Sequence, residues 1–270
     1  MPATAAGREL AVLAGHLQVP VNRLTTGTVA AYVPAHAPVA PTAAALASRC
    51  FDGSALAVRR VVVHREVAEA FEEAFVEATD ALVAGAGLDY RAEVGSLSDA
   101  EQLQQVGDLV AEAAGMGARV LTGAEPLLAC GPLFYAPTVL ADVPAEAGAR
   151  DVPTAGPLVV LDQVASDDEA VAAMNATGPM PLALLCAPGA GAGATSGARP
   201  HDVRADVVAT GRPGVLPVRP DLGTLVDHVT DVQVVRGAGA PAVLGEIAGA
   251  LRADVVGRVL RVGRGTRPTS

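Results

Sequence analysis

The feature that most constrains this chain is a β-branched apolar run followed at once by a long amphipathic helix. Residues 57–64 (AVRRVVVH) contain no helix breaker and are typical of a buried strand. Between residues 66 and 84, apolar side chains recur at helical spacing along one face. A strand joined directly to a helix that can cover it predicts a layered α/β fold.

The same alternation continues along the chain. Short apolar strands are predicted at 29–33, 118–122, 158–161 and 182–186, with an extended segment at 134–140. Helices are predicted at 7–17, 98–114 and 167–175, and from Thr42 to Cys50. Thr42 and Ser98 are the expected N-caps, Ser98 with Glu101 in a capping-box pattern. We therefore expect an α/β fold with a mainly parallel sheet flanked by helices.

Charge and composition exclude several classes of function. All 19 basic residues are arginine, so there is no Schiff-base or phosphate-loop lysine. A net charge of −10 disfavours nucleic acid and anionic membranes as partners. The sparse cysteines, with no signal peptide or spanning segment in the sequence, indicate a reduced, cytoplasmic protein. The histidines show no metal-ligand spacing, so no zinc site is expected.

Several short motifs follow one another in a characteristic order. They are Arg60-Val-Val-Val-His64, Val94-Gly-Ser-Leu97, Gly117-Ala-Arg-Val-Leu-Thr-Gly123, Phe134-Tyr-Ala-Pro-Thr-Val-Leu140 and Gly156-Pro157. In this order they resemble the catalytic-domain half of the aldehyde dehydrogenase superfamily. The resemblance divides the chain into a remnant of the nucleotide-binding domain (1–35), a catalytic-domain scaffold (36–188), a flexible glycine-rich linker (189–200) and a C-terminal α/β segment (201–270).

The resemblance implies a thiolate nucleophile, an oxyanion donor and a general base, and this sequence departs from the family at all three positions. Ala55 stands where the family has its catalytic cysteine, five residues before Arg60. Asp52 stands in place of the oxyanion-hole asparagine, and Leu24 in place of the general-base glutamate. The covalent step is therefore not expected at Ala55.

The cofactor positions differ as well. Pro153 replaces the glutamate that holds the cofactor ribose in the family, and Ala155 replaces the phenylalanine beside the nicotinamide. Little of the nucleotide-binding domain is represented in residues 1–35. We therefore expect no cofactor, and no measurable binding of NAD or NADP.

Cys50 is the one candidate that could rescue the chemistry. It precedes Ala55 by five residues and falls on the predicted helix rather than in the loop. A small buried core thiol is the favoured interpretation.

The leading interpretation is a catalytically inactive aldehyde dehydrogenase-like protein that serves as a structural or regulatory partner. Its partner would be a second copy or another protein, such as an active aldehyde dehydrogenase, and the segments at 57–64 and 134–140 are candidates for lining an exposed apolar interface. One alternative is an NAD(P)-dependent aldehyde oxidoreductase or thiol-dependent acyl-transfer enzyme that acts through Cys50. Another is a module that binds a small molecule.

Overall fold

The computed structural model describes residues 27–54, 56–85, 91–150, 156–178, 180–187, 198–205, 207–211 and 234–237. Its strands are β1 (Val29–Val33), β2 (Val58–His64), β3 (Arg119–Thr122), β4 (Thr138–Ala141), β5 (Leu158–Val164), β6 (Leu182–Cys186), β7 (Val207–Gly211) and β8 (Val234–Gly237). Its α-helices are α1 (Val39–Phe51), α2 (Ala68–Asp80), α3 (Ala100–Gly115) and α4 (Asp167–Asn175).

The described strands form one sheet in the order β3-β4-β5-β2-β1-β6-β7-β8. Every neighbouring pair is parallel except β3 and β4, which are antiparallel. The expected mainly parallel α/β sheet is therefore confirmed. The strand β7 pairs with β6, so this part of the C-terminal segment continues the same sheet.

The helices cover both faces of the sheet. Alternate residues of the central strands point to opposite sides, so Val61 and Val63 of β2 join the cluster under α1 and α2, while Val62 joins the cluster under α4. A third cluster lies between α3 and strands β4 and β5. Phe71 and Phe75 stack one helical turn apart in α2 with ring centroids 5.4 Å apart, which anchors that helix in the core.

Both predicted N-caps are wrong. The helix α1 begins three residues earlier than expected, after Pro38, and Thr42 is buried within it. The N-cap of α3 is Asp99, whose carboxylate accepts a hydrogen bond from the Gln102 amide. The helix predicted at 66–84 is shorter in the structure, where it spans Ala68–Asp80. The helix predicted at 7–17 lies outside the described residues.

The expectation that 57–64 and 134–140 line an exposed interface is also wrong. The strand β2 lies between β1 and β5 near the middle of the sheet, and Val61 and Val62 are fully buried. Phe134, Tyr135 and Ala136 are buried as well. The apolar character of both segments reflects the interior of a parallel sheet that is covered on both faces.

The side chain of Arg60 ties β2 to its neighbours. Its guanidinium pairs with Asp162 of β5 and donates to the Ala173 carbonyl (3.0 Å) and to Thr177 after α4. Arg150 pairs with the same Asp162 carboxylate at 2.9 Å. A buried charge needs such a full set of partners, so Arg60 holds the sheet and α4 together.

Candidate active site

The loop between α1 and β2 carries the segment in which the sequence resemblance predicts the position of the nucleophile. The helix α1 ends at Phe51, and Gly53 turns the chain with φ +69°, a conformation that favours glycine. Ala55 lies outside the described residues, as do Leu24, Pro153 and Ala155. Of the six predicted site positions, the structure therefore describes Cys50 and Asp52.

Asp52 acts as a hydrogen-bond acceptor at the start of this loop. Its Oδ2 accepts from Arg49 Nη1 at 2.7 Å, and its Oδ1 accepts from the backbone amide of Ser54 at 2.9 Å. Both carboxylate oxygens are thus engaged with donors. This side chain is arranged to receive hydrogen bonds and not to donate one to a developing oxyanion.

Cys50 lies in the last turn of α1, within the main hydrophobic cluster, and is fully buried. Burial raises the pKa of its thiol far above the usual range; nearby Arg59 and Arg49 lower that pKa, while Asp52 and Cys186 raise it. A thiol that is neutral and inaccessible is a poor nucleophile.

The other two thiols occupy contrasting surroundings. Cys186 of β6 is also buried, and burial raises its pKa to about 12. Cys130 is exposed, with its thiol donating weakly to the Ala84 carbonyl at 3.6 Å. In the part of the chain that the structure describes, no three or more His, Cys, Asp or Glu side chains are grouped as metal ligands.

Arg59 connects the loop to Gly156, which adjoins the predicted cofactor positions Pro153 and Ala155. Its Nη1 donates to the carbonyl oxygen of Gly156, just before β5. Burial lowers the pKa of this guanidinium, and the neighbouring Cys50 and Asp52 act in the opposite direction. Arg59 and Arg49 were not among the predicted site residues. The only signal in the sequence was that Arg59 adjoins Arg60 and that Arg49 lies three residues before Asp52.

The residues around Gly156 do not supply the side-chain contacts that the family resemblance predicts for a nicotinamide cofactor. A Cβ atom at Gly156 would lie 2.1 Å from Val106 Cγ2, so α3 fills the space on that side of the backbone. The Gly156 carbonyl is already taken by Arg59. Neither Pro153 nor Ala155 has a side chain that can hydrogen-bond a ribose. No chemical step is therefore assigned to NAD or NADP here.

None of the helices among the described residues is long and apolar enough to cross a membrane.

Comparisons with known proteins agree with this architecture. The profile of the aldehyde dehydrogenase family matches residues 3–180. A putative succinate-semialdehyde dehydrogenase [NADP(+)] 2 of Mycobacterium ulcerans is 33% identical over 177 residues, which are 64% of this chain and 34% of that protein. The corresponding protein of Mycobacterium tuberculosis is 32% identical over the same length. The chain thus spans about a third of the length of these curated relatives.

Solved structures show the same fold. The NAD-dependent aldehyde dehydrogenase of Sinorhizobium meliloti superimposes with a TM-score of 0.70 and 23% identity, covering 80% of this chain and 42% of that one. The succinate-semialdehyde dehydrogenase of Burkholderia pseudomallei gives a TM-score of 0.61 and 20% identity, covering 88% of this chain and 44% of that one.

Proposed function

Since the chain belongs to the aldehyde dehydrogenase family, we propose that it is a member that no longer catalyses aldehyde oxidation and that serves as a structural or regulatory partner. The burial of Cys50 carries this proposal. The segment from Asp52 to Ala57 contains no cysteine, and the nearest thiol faces the hydrophobic core with a raised pKa. Covalent catalysis needs a reachable thiolate at this point of the fold.

The side chains around the loop support the proposal independently of the thiol. Asp52 presents a carboxylate where the family resemblance places an oxyanion donor, and Arg49 and the Ser54 amide hold that carboxylate in place. Arg60, in contrast, keeps a full set of structural contacts. We infer that the contacts that stabilise the scaffold are kept while the groups that would perform the chemistry have been replaced.

Two assays test the loss of catalysis. The first follows NAD(P)H formation from a panel of aldehydes that includes succinate semialdehyde. The second follows hydrolysis of an activated ester, which needs a nucleophile but no cofactor. We expect neither rate to exceed the protein-free rate. Activity that Cys50→Ala abolishes would contradict the proposal and support the oxidoreductase or acyl-transfer alternative.

The partner role is tested separately by light scattering at micromolar concentration on the full chain. We expect a stable dimer or a complex with a co-purifying protein, joined by a contact of more than about 1,000 Å². A strict monomer without a bound protein would contradict the assembly role and leave the loss of catalysis as a separate result.

A further inference from the structure

The outward face of α2 carries a line of carboxylates. Glu69, Glu73 and Glu77 are exposed and follow one another at four-residue intervals, which places them in one row along the helix; this row is called the acidic stripe. Their side chains form no ion pair with any residue that the structure describes. Like charges four residues apart weaken a helix, so the stripe is a face that a basic partner would stabilise.

The other faces of α2 already have their contacts. Phe71 and Phe75 are buried in the main hydrophobic cluster. Glu72 is paired with Arg119 of the edge strand β3 at 2.9 Å. The acidic stripe is therefore the face of α2 that is left without a partner within the described part of the chain.

The C-terminal end of the sequence carries the opposite charge. Residues 258–267 contain no acidic residue and have an arginine at every third position, namely Arg258, Arg261, Arg264 and Arg267. These residues, called the arginine segment, lie outside the described residues. The whole chain has a net charge of −10, so the part without the arginine segment is more negative still. Guanidinium groups pair with carboxylates through two parallel hydrogen bonds, which makes the two charged segments complementary.

The length of the chain allows the arginine segment to reach α2. The strand β8 ends at Gly237 and runs parallel to the central strands, so Gly237 and the start of α2, which follows β2, lie at the same edge of the sheet. β8 lies five strand positions from β5, or about 24 Å at a spacing of about 4.8 Å. Residues 238–257 connect β8 to the arginine segment, and a flexible chain of about 20 residues spans about 25 Å.

We propose that the acidic stripe on α2 is the docking surface for the arginine segment of the same chain. Two consecutive arginines of an extended segment lie about 10 Å apart. This spacing is close to the separation of Glu69 and Glu77, about 12 Å along the helix. Each exposed ion pair contributes little, but several arginines act together and their attachment to the same chain keeps their local concentration high. Docking requires neither aldehyde chemistry nor a second protein, so it is independent of the proposed function.

Limited digestion of the full chain with trypsin tests this contact, because trypsin cleaves after arginine and needs the cleaved segment to be free. Release of the C-terminal peptides is followed by mass spectrometry at low ionic strength. The triple variant Glu69→Gln, Glu73→Gln and Glu77→Gln is compared with the wild type. We expect cleavage within the arginine segment to be several-fold faster in the variant. The difference should disappear at high salt, which screens exposed charges.

A matched control separates docking from net charge. Glu101→Gln, Asp108→Asn and Glu112→Gln remove three exposed carboxylates from α3 and change the net charge by the same amount. This variant is expected to be cleaved at the wild-type rate. Glu73→Gln alone, at the centre of the stripe, should give a smaller acceleration and serves should the triple variant fold poorly.

Three results would overturn the proposal. Equal cleavage rates in the wild type and in both stripe variants would show that the stripe does not hold the arginine segment. Equal acceleration by the α3 control would show an effect of net charge only. Protection that increases with protein concentration would place the arginine segment of a second copy on the stripe, in place of that of the same chain.

Discussion

Arg60 shows at the level of a single residue what a sequence pattern conveys and what it does not. Its place in the Arg60-Val-Val-Val-His64 motif helped to reveal the family and to locate Ala55. Its partners could not be predicted, because Asp162 and Thr177 lie 102 and 117 residues further along the chain. Only the folded sheet brings these groups together.

Removal of the Arg60 charge is expected to destabilise the protein strongly. Arg60→Met keeps an apolar stem but leaves the Thr177 hydroxyl and one side of Asp162 without their donor, at a cost of roughly 3 kcal/mol in the free energy of unfolding. Arg119→Met is the matched control, since Arg119 pairs with Glu72 and Asp142 at a side chain that is 49% exposed. Its cost is expected to be at most about 1 kcal/mol. Equal losses in urea unfolding would contradict the structural role of Arg60.

Element boundaries were harder to predict than the elements themselves. The strands β1 and β6 and the helix α4 match their predicted bounds, because apolar runs and a clear capping residue mark them. The start of α3 differs from its predicted position, because Ser98 and Asp99 are both good N-cap residues and the apolar pattern does not distinguish them. The start of α1 was missed because the helix begins after Pro38 with no side-chain cap.

The cap of α3 can be tested by substitution at the two candidate positions. Asp99→Ala is expected to lower stability more than Ser98→Ala, because the Asp99 side chain accepts a hydrogen bond from the Gln102 amide directly.

Hydrogen bonds from the Gln102 amide and the Ser98 hydroxyl lower the pKa of Asp99. A lowered pKa stabilises the folded state above the unfolded-state value and ceases to do so as the pH falls through the folded-state value. The difference between wild type and Asp99→Asn should therefore shrink below about pH 4. A larger loss for Ser98→Ala would restore Ser98 as the cap.

The turn after β3 depends on a glycine that no other residue can replace without strain. Gly123 has φ +80°, and a Cβ atom there would lie 2.2 Å from the Pro137 carbonyl oxygen. Gly123→Ala is expected to lower the free energy of unfolding by more than about 1 kcal/mol. Gly107→Ala in the middle of α3, where a Cβ atom meets nothing within 4 Å, should raise it by up to about 1 kcal/mol. Thermal unfolding that moves in the same direction for both variants would contradict this account.

For the whole molecule, the sequence predicted the class of fold but not the arrangement of the strands. Alternating strands and helices require a mainly parallel sheet, yet the order β3-β4-β5-β2-β1-β6-β7-β8 depends on crossovers that no local pattern specifies. The loss of the catalytic groups stays a prediction from single positions such as Ala55, which lies outside the described residues. The buried hydrogen-bond donors of Arg49 and Ser54 near Asp52 could not be predicted, because they become buried only when α1 packs against the sheet.

Labelling of the three cysteines in the folded protein tests the central claim most directly. The folded chain is treated with iodoacetamide near pH 8, and the adducts are located by mass spectrometry. The account predicts rapid modification of exposed Cys130 and protection of Cys50 and Cys186 until the protein is unfolded, because both are buried with raised pKa values. Cys186 is the internal control, since it is buried in the same cluster. Labelling of Cys50 in the folded protein much faster than Cys186 would mean that a reachable thiolate exists there, and the claim that the nucleophile is lost would be wrong.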